Sequence, residues 1–414
     1  MADHVSIVVL THNRSSVLNR CIRTAVEHSS IAARARWIVL DDSSRELTLQ
    51  NASLLSRWTR AGLDLVHLSA DVRKECSRLL TAADDRGAVV SLLAKAGPRD
   101  VSGLRNWGLL AALAVGSAFV FLLDDDMQVG DRRGSFLDSA LARYRGRENV
   151  IVGGRFHGIL DGTHLSRLVH FLRRNRPPWT TARGASLSAR LWYSTANPIW
   201  VCDDSDSSMP VEAEHARGGL MAFPLGTDCL LPFPTGYDED SNWCLLRAVL
   251  RGTAIYRMGP SARHLPPPMC QPSAAEIRSQ LFGGVLFACL LMTRRRRLRR
   301  PTIRRIGEAM VREAARVAES FDLGLLFEAR SELRRFALGT HVAAESRWAR
   351  SYCGVVTELS HALQETDLRE LVGRWMVAFE RRNQAFAAIV RNGDAMSSLG
   401  HVLRSRRPGS RPGC

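Results

Sequence analysis

Apolar runs of strand length alternate with segments of helical periodicity through the first part of the chain. Residues 5–11 (VSIVVLT) form a continuous β-branched run, typical of a parallel strand buried on both faces. Residues 17–27 then repeat their apolar side chains at helical spacing. This alternation predicts an α/β sheet with right-handed crossovers. Further strands are predicted at 37–40, 63–68, 118–123 and 254–258 and within 217–225, and further helices at 47–61, 104–115 and, after an acidic turn, within 236–251.

The C-terminal part of the chain shows helical periodicity and no clear strand pattern. Three prolines at 266–268 interrupt the pattern, and we place a domain boundary there. We therefore predict an α/β domain at 1–268, an all-helical domain at 269–395 and a disordered basic tail at 396–414. The predicted helices of the second domain cover 273–299, 302–320, 322–337, 341–363 and 367–391, and the polar, proline-containing segments 173–183 and 203–210 are predicted loops.

Charge and cysteine usage narrow the class of protein. The 414 residues carry a formal net charge of +16, almost all of it from arginine. This charge favours anionic partners, which include phosphates, nucleic acid and an acidic membrane surface. The 9 cysteines are an odd number and form no CxxC pair, which suits free thiols in a reducing cytosol. The first residues lack the pattern of a secretory signal, so we predict a cytoplasmic protein.

Polar residues follow three of the predicted strands. Thr11 and Asp42 end the first two, and the triplet Asp124, Asp125 and Asp126 ends the strand at 118–123. In open α/β sheets, ligands gather at the carboxyl ends of the strands. Mg²⁺ prefers carboxylate oxygen and is typically held by one or two carboxylates together with substrate phosphates. The triplet therefore suggests a metal–diphosphate site, the alternative being a solvated acidic turn.

Five sequence blocks between residues 4 and 268 carry a family resemblance. They are VSIVVLTHNR, WIVLDDSS, GLRNWGLLAA, FVFLLDDDM and, in the last block, RGGLMAFPL followed by GYDEDSNWCLLRAVLRGTAIYRMGPSARHLP. In this order they resemble the family 2-like glycosyltransferases. The resemblance implies a GT-A fold, a nucleotide-sugar-binding, Rossmann-like mixed sheet, here followed by the all-helical domain. It also implies Mn²⁺- or Mg²⁺-dependent transfer of a sugar from a nucleotide-sugar donor to an acceptor hydroxyl.

The resemblance assigns residues to the nucleotide. Thr11 and Asn13 would line the nucleoside, and Asp42 matches the acid that accepts a hydrogen bond from the base. Residues 41–44 also suit a helix N-cap, and the two roles are compatible. Arg105 matches an arginine that helps to hold the diphosphate, for which bidentate guanidinium contact is the physical reason. An ordinary exposed arginine at the start of a helix is the alternative.

The same resemblance assigns the metal ligands. Asp124 and Asp126 fit a D-x-D motif in which Asp126 binds the metal and Asp124 contacts ribose or metal. Asp125 is expected to be a nucleotide-side neighbour, either positioning the others or facing solvent. His264 matches a histidine that often completes the metal shell, although a lone histidine before prolines is also commonly structural.

The acidic turn at 238–240 is expected to supply the general base. Inverting glycosyl transfer needs a carboxylate that takes the proton of the acceptor hydroxyl. The resemblance places Asp240 at the base, with Glu239 as second choice. Helix capping is the alternative role of these acids. Gly218 and Gly219 would let the backbone approach the donor sugar, unless they form a plain turn.

Departures from the family pattern leave the donor and acceptor open. His12 stands where an aromatic residue is common, and Asn242 replaces a frequent acid. The segment 73–100 is also longer than usual. The acceptor can be a saccharide, lipid, peptide or natural product. A catalytically silent GT-A domain that binds a membrane or a partner is an alternative function, and a related nucleotidyltransferase is another.

The apolar segment 281–292 is followed by the arginine cluster of 293–300 (TRRRRLRR). This combination suits either a core helix with a solvated basic end or a helix that contacts the inner face of an anionic membrane peripherally. At 12 residues the apolar segment is too short to span a bilayer. The cluster lacks interleaved aromatic residues, which argues against nucleic acid.

Overall fold

The computed structural model describes most of the chain. Its described residues are 4–81, 86–94, 101–130, 135–144, 146–158, 211–213, 216, 219–226, 230–236, 239–264, 273–296, 298, 301–320, 330–331, 334, 338 and 343–406. The predicted loops at 173–183 and 203–210 and most of the predicted helix at 322–337 lie outside these residues.

A mixed sheet forms the centre of the N-terminal part. Its strand order among the described residues is β3-β2-β1-β4-β8-β6-β9-β5, with β7 also paired to β9. The pairs β3–β2, β2–β1, β1–β4 and β6–β9 are parallel, whereas β8 runs antiparallel to both β4 and β6. The strands are β1 Val5–Thr11, β2 Arg36–Asp41, β3 Asp64–Leu68, β4 Phe119–Asp124, β5 Met127–Gln128, β6 Val150–Gly158, β7 Val211–Glu212, β8 Leu220–Pro224 and β9 Ala254–His264.

Helices cover both faces of this sheet, as strands buried on both faces require. Ile7 and Val9 of β1 face one apolar cluster, and Val8 and Leu10 face the other. The first cluster is closed by α1 Ser15–His28, α2 Arg45–Arg60 and α6 Phe136–Tyr144. The second is closed by α3 Ala70–Thr81, α4 Arg86–Leu93, α5 Ser102–Ala114 and α7 Glu239–Arg251.

The C-terminal helices extend the second cluster. They are α8 Ala274–Arg295, α9 Ile303–Ser320, α10 Ala343–Glu365, α11 Leu368–Arg391 and α12 Gly393–Ser405. Ser273 opens α8 with a capping box to Glu276, and Asp367 caps α11 by accepting from two backbone amides. The α/β class with a following helical region is therefore confirmed.

Helix α12 corrects the prediction for the C-terminus. Residues 396–405 were expected in a disordered tail but form a helix whose Leu399 and Leu403 are buried. Their apolar side chains recur at a spacing of four, which places them on one helix face. Among the described residues, one helix, α8, is long and apolar enough to cross a membrane. The sequence had predicted an apolar segment too short for this. However, its Leu281, Val285 and Leu290 lie in the second cluster.

Candidate functional site

The strand register places the predicted site at one edge of the sheet. Thr11 of β1 lies beside Asp41 of β2, and Leu10 lies beside Asp124 of β4. Because these strands are parallel, their carboxyl ends meet at the same edge. The residues predicted at three strand exits are therefore neighbours in space.

Asp41 is a fully buried carboxylate that organises the loop after β2. Its oxygens accept hydrogen bonds from the backbone nitrogen of Ser43 at 3.0 Å and from Asn51 Nδ2 at 3.0 Å. His67 Nε2 lies 2.9 Å from Asp41 Oδ2. Burial opposes ionisation, but these hydrogen bonds hold the pKa of Asp41 below its usual value. Asp41 therefore stabilises the loop that presents Asp42.

Asp42 is the more accessible of the two acids. Arg73 Nη2 lies 3.1 Å from Asp42 Oδ1, and Arg73 Nη1 donates to the backbone oxygens of Asp41 and Leu68 at 2.7 and 2.8 Å. His12, which is exposed, places Nδ1 2.6 Å from the backbone oxygen of Asp42. The carboxylate proposed for the nucleobase is thus fixed by Arg73 and bordered by an imidazole.

Asn13 joins the loops that follow β1 and β2. It adopts a left-handed φ of 55°, donates its backbone N–H to Ser43 Oγ and accepts from the backbone nitrogen of Ser44, both at 2.8 Å. Asparagine tolerates this conformation better than most residues do. Its side-chain oxygen therefore holds the loops together at the edge where it was expected to line the nucleoside.

Asp125 is fully buried, which excludes the solvent-facing alternative. Thr11 Oγ1 donates to its Oδ2 at 2.7 Å, and Arg14 Nη2 lies 2.7 Å from its Oδ1. Burial raises the pKa of Asp125 to about 7, although Arg14 and Thr11 act in the opposite direction. The Thr11 hydroxyl, expected near the nucleoside, is thus hydrogen-bonded to Asp125.

Asp126, just after β4, contacts His264 of β9, a strand near one end of the strand order. Arg14 Nη1 lies 3.1 Å from Asp126 Oδ2, and His264 Nε2 lies 3.4 Å from Asp126 Oδ1. The pairing of Met127 with His264 between β5 and β9 brings the histidine here. Burial disfavours the charge, but His264 and Arg14 together lower the pKa of Asp126.

Asp124 faces a different set of partners. Its Oδ1 lies 3.6 Å from Arg105 Nη2, and its backbone nitrogen donates to the backbone oxygen of Gly219 at 3.1 Å. A Cβ at Gly219 would lie 3.0 Å from Asp124 Oδ2. Burial raises the pKa of Asp124; Arg105 opposes this effect, and Asp126 adds to it. Gly219 therefore allows close approach to the carboxylate, whereas Gly218 lies outside the described residues.

Arg105 joins the triplet to the acidic helix start. It is 4% exposed, and its Nε lies 2.9 Å from Glu239 Oε1. Burial lowers the pKa of Arg105, but Glu239 and Asp124 outweigh it and raise the pKa above the usual value. The exposed helix-start alternative for Arg105 is therefore wrong. Asp240 is partly exposed in the first turn of α7, where its Oδ1 accepts from the backbone nitrogen of Ser241 at 2.7 Å.

The donor set fits a divalent cation in part. Among the described residues, no three histidine, cysteine, aspartate or glutamate side chains lie together as a metal-binding group. The expected trio of Asp124, Asp126 and His264 is thus not assembled, because Asp124 turns toward Arg105. Asp126 Oδ1 is buried and makes no hydrogen bond of ordinary geometry, and His264 Nε2 lies 3.4 Å from it. Such a pair suits a cation that takes its remaining oxygens from phosphate and water.

Three further residues of the candidate site were not predicted from the sequence. Arg14 pairs with two carboxylates of the triplet, Arg73 fixes Asp42, and His67 faces Asp41. Arg14 stands in the THNR block and His67 within an apolar strand, so both positions carried a signal. Arg73 lies in the long segment after β3, where only the pairing of a buried arginine with an acid identifies it.

Comparisons with known proteins give structural likenesses at low identity. No family model matches the chain. No curated protein matches it either. A mannosyltransferase from Pyrobaculum calidifontis, solved with GDP-Man and Mn²⁺, is 12% identical with a TM-score of 0.41, over 93% of this chain and 88% of its own. Residues 1–349 of TarS from S. aureus are 12% identical with a TM-score of 0.39, over 87% of this chain and 90% of their own.

A third similar structure is glucosyl-3-phosphoglycerate synthase from Mycobacterium tuberculosis, solved with Mn²⁺, UDP and glucosyl-3-phosphoglycerate. It is 14% identical with a TM-score of 0.39, over 71% of this chain and 80% of its own.

Proposed function

We propose that the protein is a metal-dependent glycosyltransferase that moves a sugar from a nucleotide-sugar donor to an acceptor hydroxyl. One observation carries the proposal. The carboxyl edge of the sheet joins a buried aspartate–histidine pair, Asp126 and His264, to a buried arginine, Arg105, beside the acidic start of α7. Such a set can hold a cation, a diphosphate and an accepting carboxylate in one place.

The nucleoside end of the donor is proposed to lie over the loops after β1 and β2. Asp42 presents a carboxylate fixed by Arg73, so it can accept a hydrogen bond from a base without moving. Exposed His12 offers a planar ring next to it. Uracil and guanine both carry N–H groups that can donate a hydrogen bond to a carboxylate, so UDP-sugars and GDP-sugars are the first to test.

The diphosphate is proposed to bind between Arg105 and the Asp126–His264 pair. A bound Mn²⁺ or Mg²⁺ would neutralise charge on the departing diphosphate. Arg105 adds a fixed guanidinium on the other side, whose charge Glu239 and Asp124 maintain. Its 4% exposure means that little water competes for this contact.

Asp240 is the proposed general base. Glu239 is buried and paired to Arg105, whereas Asp240 is partly exposed at the same helix start. A base must reach the acceptor hydroxyl and take its proton as the oxygen attacks the anomeric carbon. Attack opposite the departing diphosphate gives inversion, which we include in the proposal. Glu239 is then assigned to positioning Arg105.

A donor panel tests this proposal. Purified protein is incubated with Mn²⁺ or Mg²⁺ and UDP-, GDP- and dTDP-sugars, and hydrolysis or transfer is followed by mass spectrometry. We expect turnover of at least one donor, a drop of about 100-fold or more in Asp240→Asn, and retained nucleotide affinity in that variant. Asp394→Asn, in the first turn of α12 on the C-terminal side of the chain, is the matched control. Absence of turnover across the panel, with nucleotide binding unchanged in Asp126→Ala, would contradict the proposal.

A catalytically silent binding domain is the second candidate, and Arg14 favours it. Its guanidinium contacts both Asp125 and Asp126, so two charges of the triplet are compensated without a metal ion. This candidate predicts that Mn²⁺ leaves nucleotide affinity unchanged and that no donor turns over. Membrane contact, which the arginine cluster suggests, is tested by vesicle flotation with anionic lipid.

A further inference from the structure

A buried arginine of the C-terminal helices contacts the segments that carry the proposed site. Arg382 of α11 is 2% exposed. Its Nε donates to the backbone oxygen of Ser91 at 2.9 Å, and its Nη1 donates to Ser102 Oγ at 3.0 Å and to the backbone oxygen of Phe233 at 3.3 Å. Its Nη2 reaches the backbone oxygen of Ala94 at 3.3 Å. One side chain thus joins the end of α4, the start of α5 and the loop at 230–236.

Two of these contacts lead directly to Arg105. Ser102 opens α5 three residues before Arg105, on the same helix. The guanidinium of Arg105 also lies over the ring of Phe233, 5.6 Å from its centroid. Arg382 therefore holds the Ser102 side chain at the start of the Arg105 helix and the backbone of Phe233, whose ring supports the Arg105 guanidinium.

Neighbouring contacts tighten the same junction. Asn106 Nδ2 donates to the backbone oxygens of Leu92 and Phe233 at 3.1 and 3.2 Å, and Asn106 Oδ1 accepts from the backbone nitrogen of Phe233 at 2.7 Å. Two turns before Arg382 on α11, Trp375 Nε1 donates to the backbone oxygen of Thr235 at 2.8 Å. The loop at 230–236 leads to Glu239, the partner of Arg105.

We propose that Arg382 is a positioning residue through which the C-terminal helices hold Arg105 and Glu239 in their working geometry. This inference rests on the proposed function and deepens it. A buried guanidinium is costly to desolvate, and an apolar residue of similar volume often gives equal or greater stability. Arg382 donates to four acceptors from three segments, so it can fix the positions of these segments relative to one another. Apolar packing would fix them less specifically.

The test compares Arg382→Met with Arg381→Met. Methionine keeps much of the length and apolar volume but removes every donor. Arg381 is the adjacent exposed residue of the same helix, so its variant controls for loss of charge from α11. Two properties are measured: hydrogen exchange of the segments 101–106 and 230–236, and the affinity ratio of UDP to uridine and of GDP to guanosine.

We expect Arg382→Met to raise exchange in both segments and to lower the diphosphate-to-nucleoside affinity ratio about tenfold, the effect of one lost charge-assisted contact. Affinity for the nucleoside alone stays within twofold, because Asp42 and Arg73 lie elsewhere. Arg381→Met changes neither property. Arg382→Lys, which retains a charged donor, recovers part of both and carries the test if Arg382→Met does not fold.

Unchanged exchange in the two segments, or an unchanged affinity ratio in both Arg382 variants, would overturn the inference. Equal loss of nucleoside and diphosphate affinity would also overturn it, since that result indicates general destabilisation. If the wild-type protein binds none of the four probes, the proposed function fails and the diphosphate role of Arg382 fails with it. The exchange data would then still show whether Arg382 fixes the two segments.

Discussion

Three adjacent carboxylates at the end of β4 have three different environments. Asp125 faces Thr11 and Arg14, Asp126 faces Arg14 and His264, and Asp124 faces Arg105. Because successive residues at a strand end point in different directions, one triplet can serve a structural and a chemical purpose. Only Asp126 has a buried oxygen directed at an imidazole, so it is the residue best placed to bind a cation.

The first prediction separates Asp126 from Asp125. Asp126→Asn should lower Mn²⁺-dependent nucleotide affinity by more than about tenfold, because an amide is a poorer ligand and is neutral. Asp125→Asn should keep that affinity within about threefold and lower the melting temperature instead, since it disturbs Thr11 and Arg14. Calorimetric titration of Mn²⁺ with UDP or GDP measures the first effect. Equal losses in both variants would contradict the assignment.

The second prediction concerns Asp41 and pH. The pKa of Asp41 is lowered in the folded protein from 3.8. A carboxyl group whose pKa is lowered by folding stabilises the folded protein at pH values above its pKa in the unfolded chain. This contribution is lost as the pH falls through its pKa in the folded protein. Asp41→Asn should therefore reduce stability by about 2 kcal/mol at neutral pH, since an amide replaces one accepting oxygen with an NH2 donor and cannot accept from Ser43, Asn51 and His67 together. Melting temperatures from pH 7 to about pH 3 measure this.

In the acid range the Asp41→Asn variant should lose less stability than the wild-type protein, so the two curves converge below about pH 4. Asp64→Asn is a suitable control, because Asp64 pairs with Arg36 at a half-buried position on the opposite edge of the sheet. Parallel curves for the wild type and Asp41→Asn would contradict a lowered pKa for Asp41.

At the scale of secondary-structure elements, those with a clear pattern were predictable, whereas β6, α3 and α12 were missed although they span 9, 12 and 13 residues. The β-branched run of β1 and the periodicity of α1 gave both elements within two residues of their bounds. The two-residue strands β5 and β7 carry no pattern, yet β5 pairs with β9 and brings His264 to Asp126. The family resemblance assigned His264 to the site. Only the pairing of β5 with β9, which are distant in sequence, shows how His264 comes close to Asp126.

The third prediction tests the β4–β8 junction, where the backbone of Gly219 meets Asp124. In Gly219→Ala the new Cβ would lie 3.0 Å from Asp124 Oδ2, so the carboxylate must shift. We expect at least about a tenfold loss of turnover or nucleotide affinity with a melting temperature within a few degrees of the wild type. Gly284→Ala in α8, which meets nothing within 4 Å, is the control and should be neutral or stabilising. Unchanged activity in Gly219→Ala would show that this approach is not needed.

At the scale of the whole molecule, the sheet and the C-terminal helices share one apolar cluster. Val8 of β1, Leu122 of β4 and Leu110 of α5 belong to the same cluster as Leu290 of α8 and Phe386 of α11. A sequence boundary at 268 marks a change from mixed to helical structure. The periodicity that located it says nothing about whether the two parts fold separately, because contacts between distant segments leave no local pattern. The two-domain division at residue 268 therefore stays a prediction.

The last prediction concerns that boundary. A chain ending at residue 268 would expose the face of the sheet cluster that α8, α11 and α12 cover. It would also lose Arg382 and the close contact between α12 and α5, where a Cβ at Gly400 would meet the backbone oxygen of Ala114. We expect this fragment to aggregate or to melt without cooperativity, because a large apolar patch favours association. Circular dichroism and analytical ultracentrifugation measure both properties.

Removal of 407–414 alone is the control, and it should leave the melting temperature unchanged because it spares every helix from α8 to α12. Co-expression of 269–414 with 1–268 should restore soluble protein if the shared cluster is what the fragment lacks. A monomeric 1–268 fragment with cooperative melting would instead show that the α/β part folds independently. Nucleotide binding by that fragment would further show that Arg105 keeps its geometry without Arg382, which links the stability of the molecule to the positioning of its site.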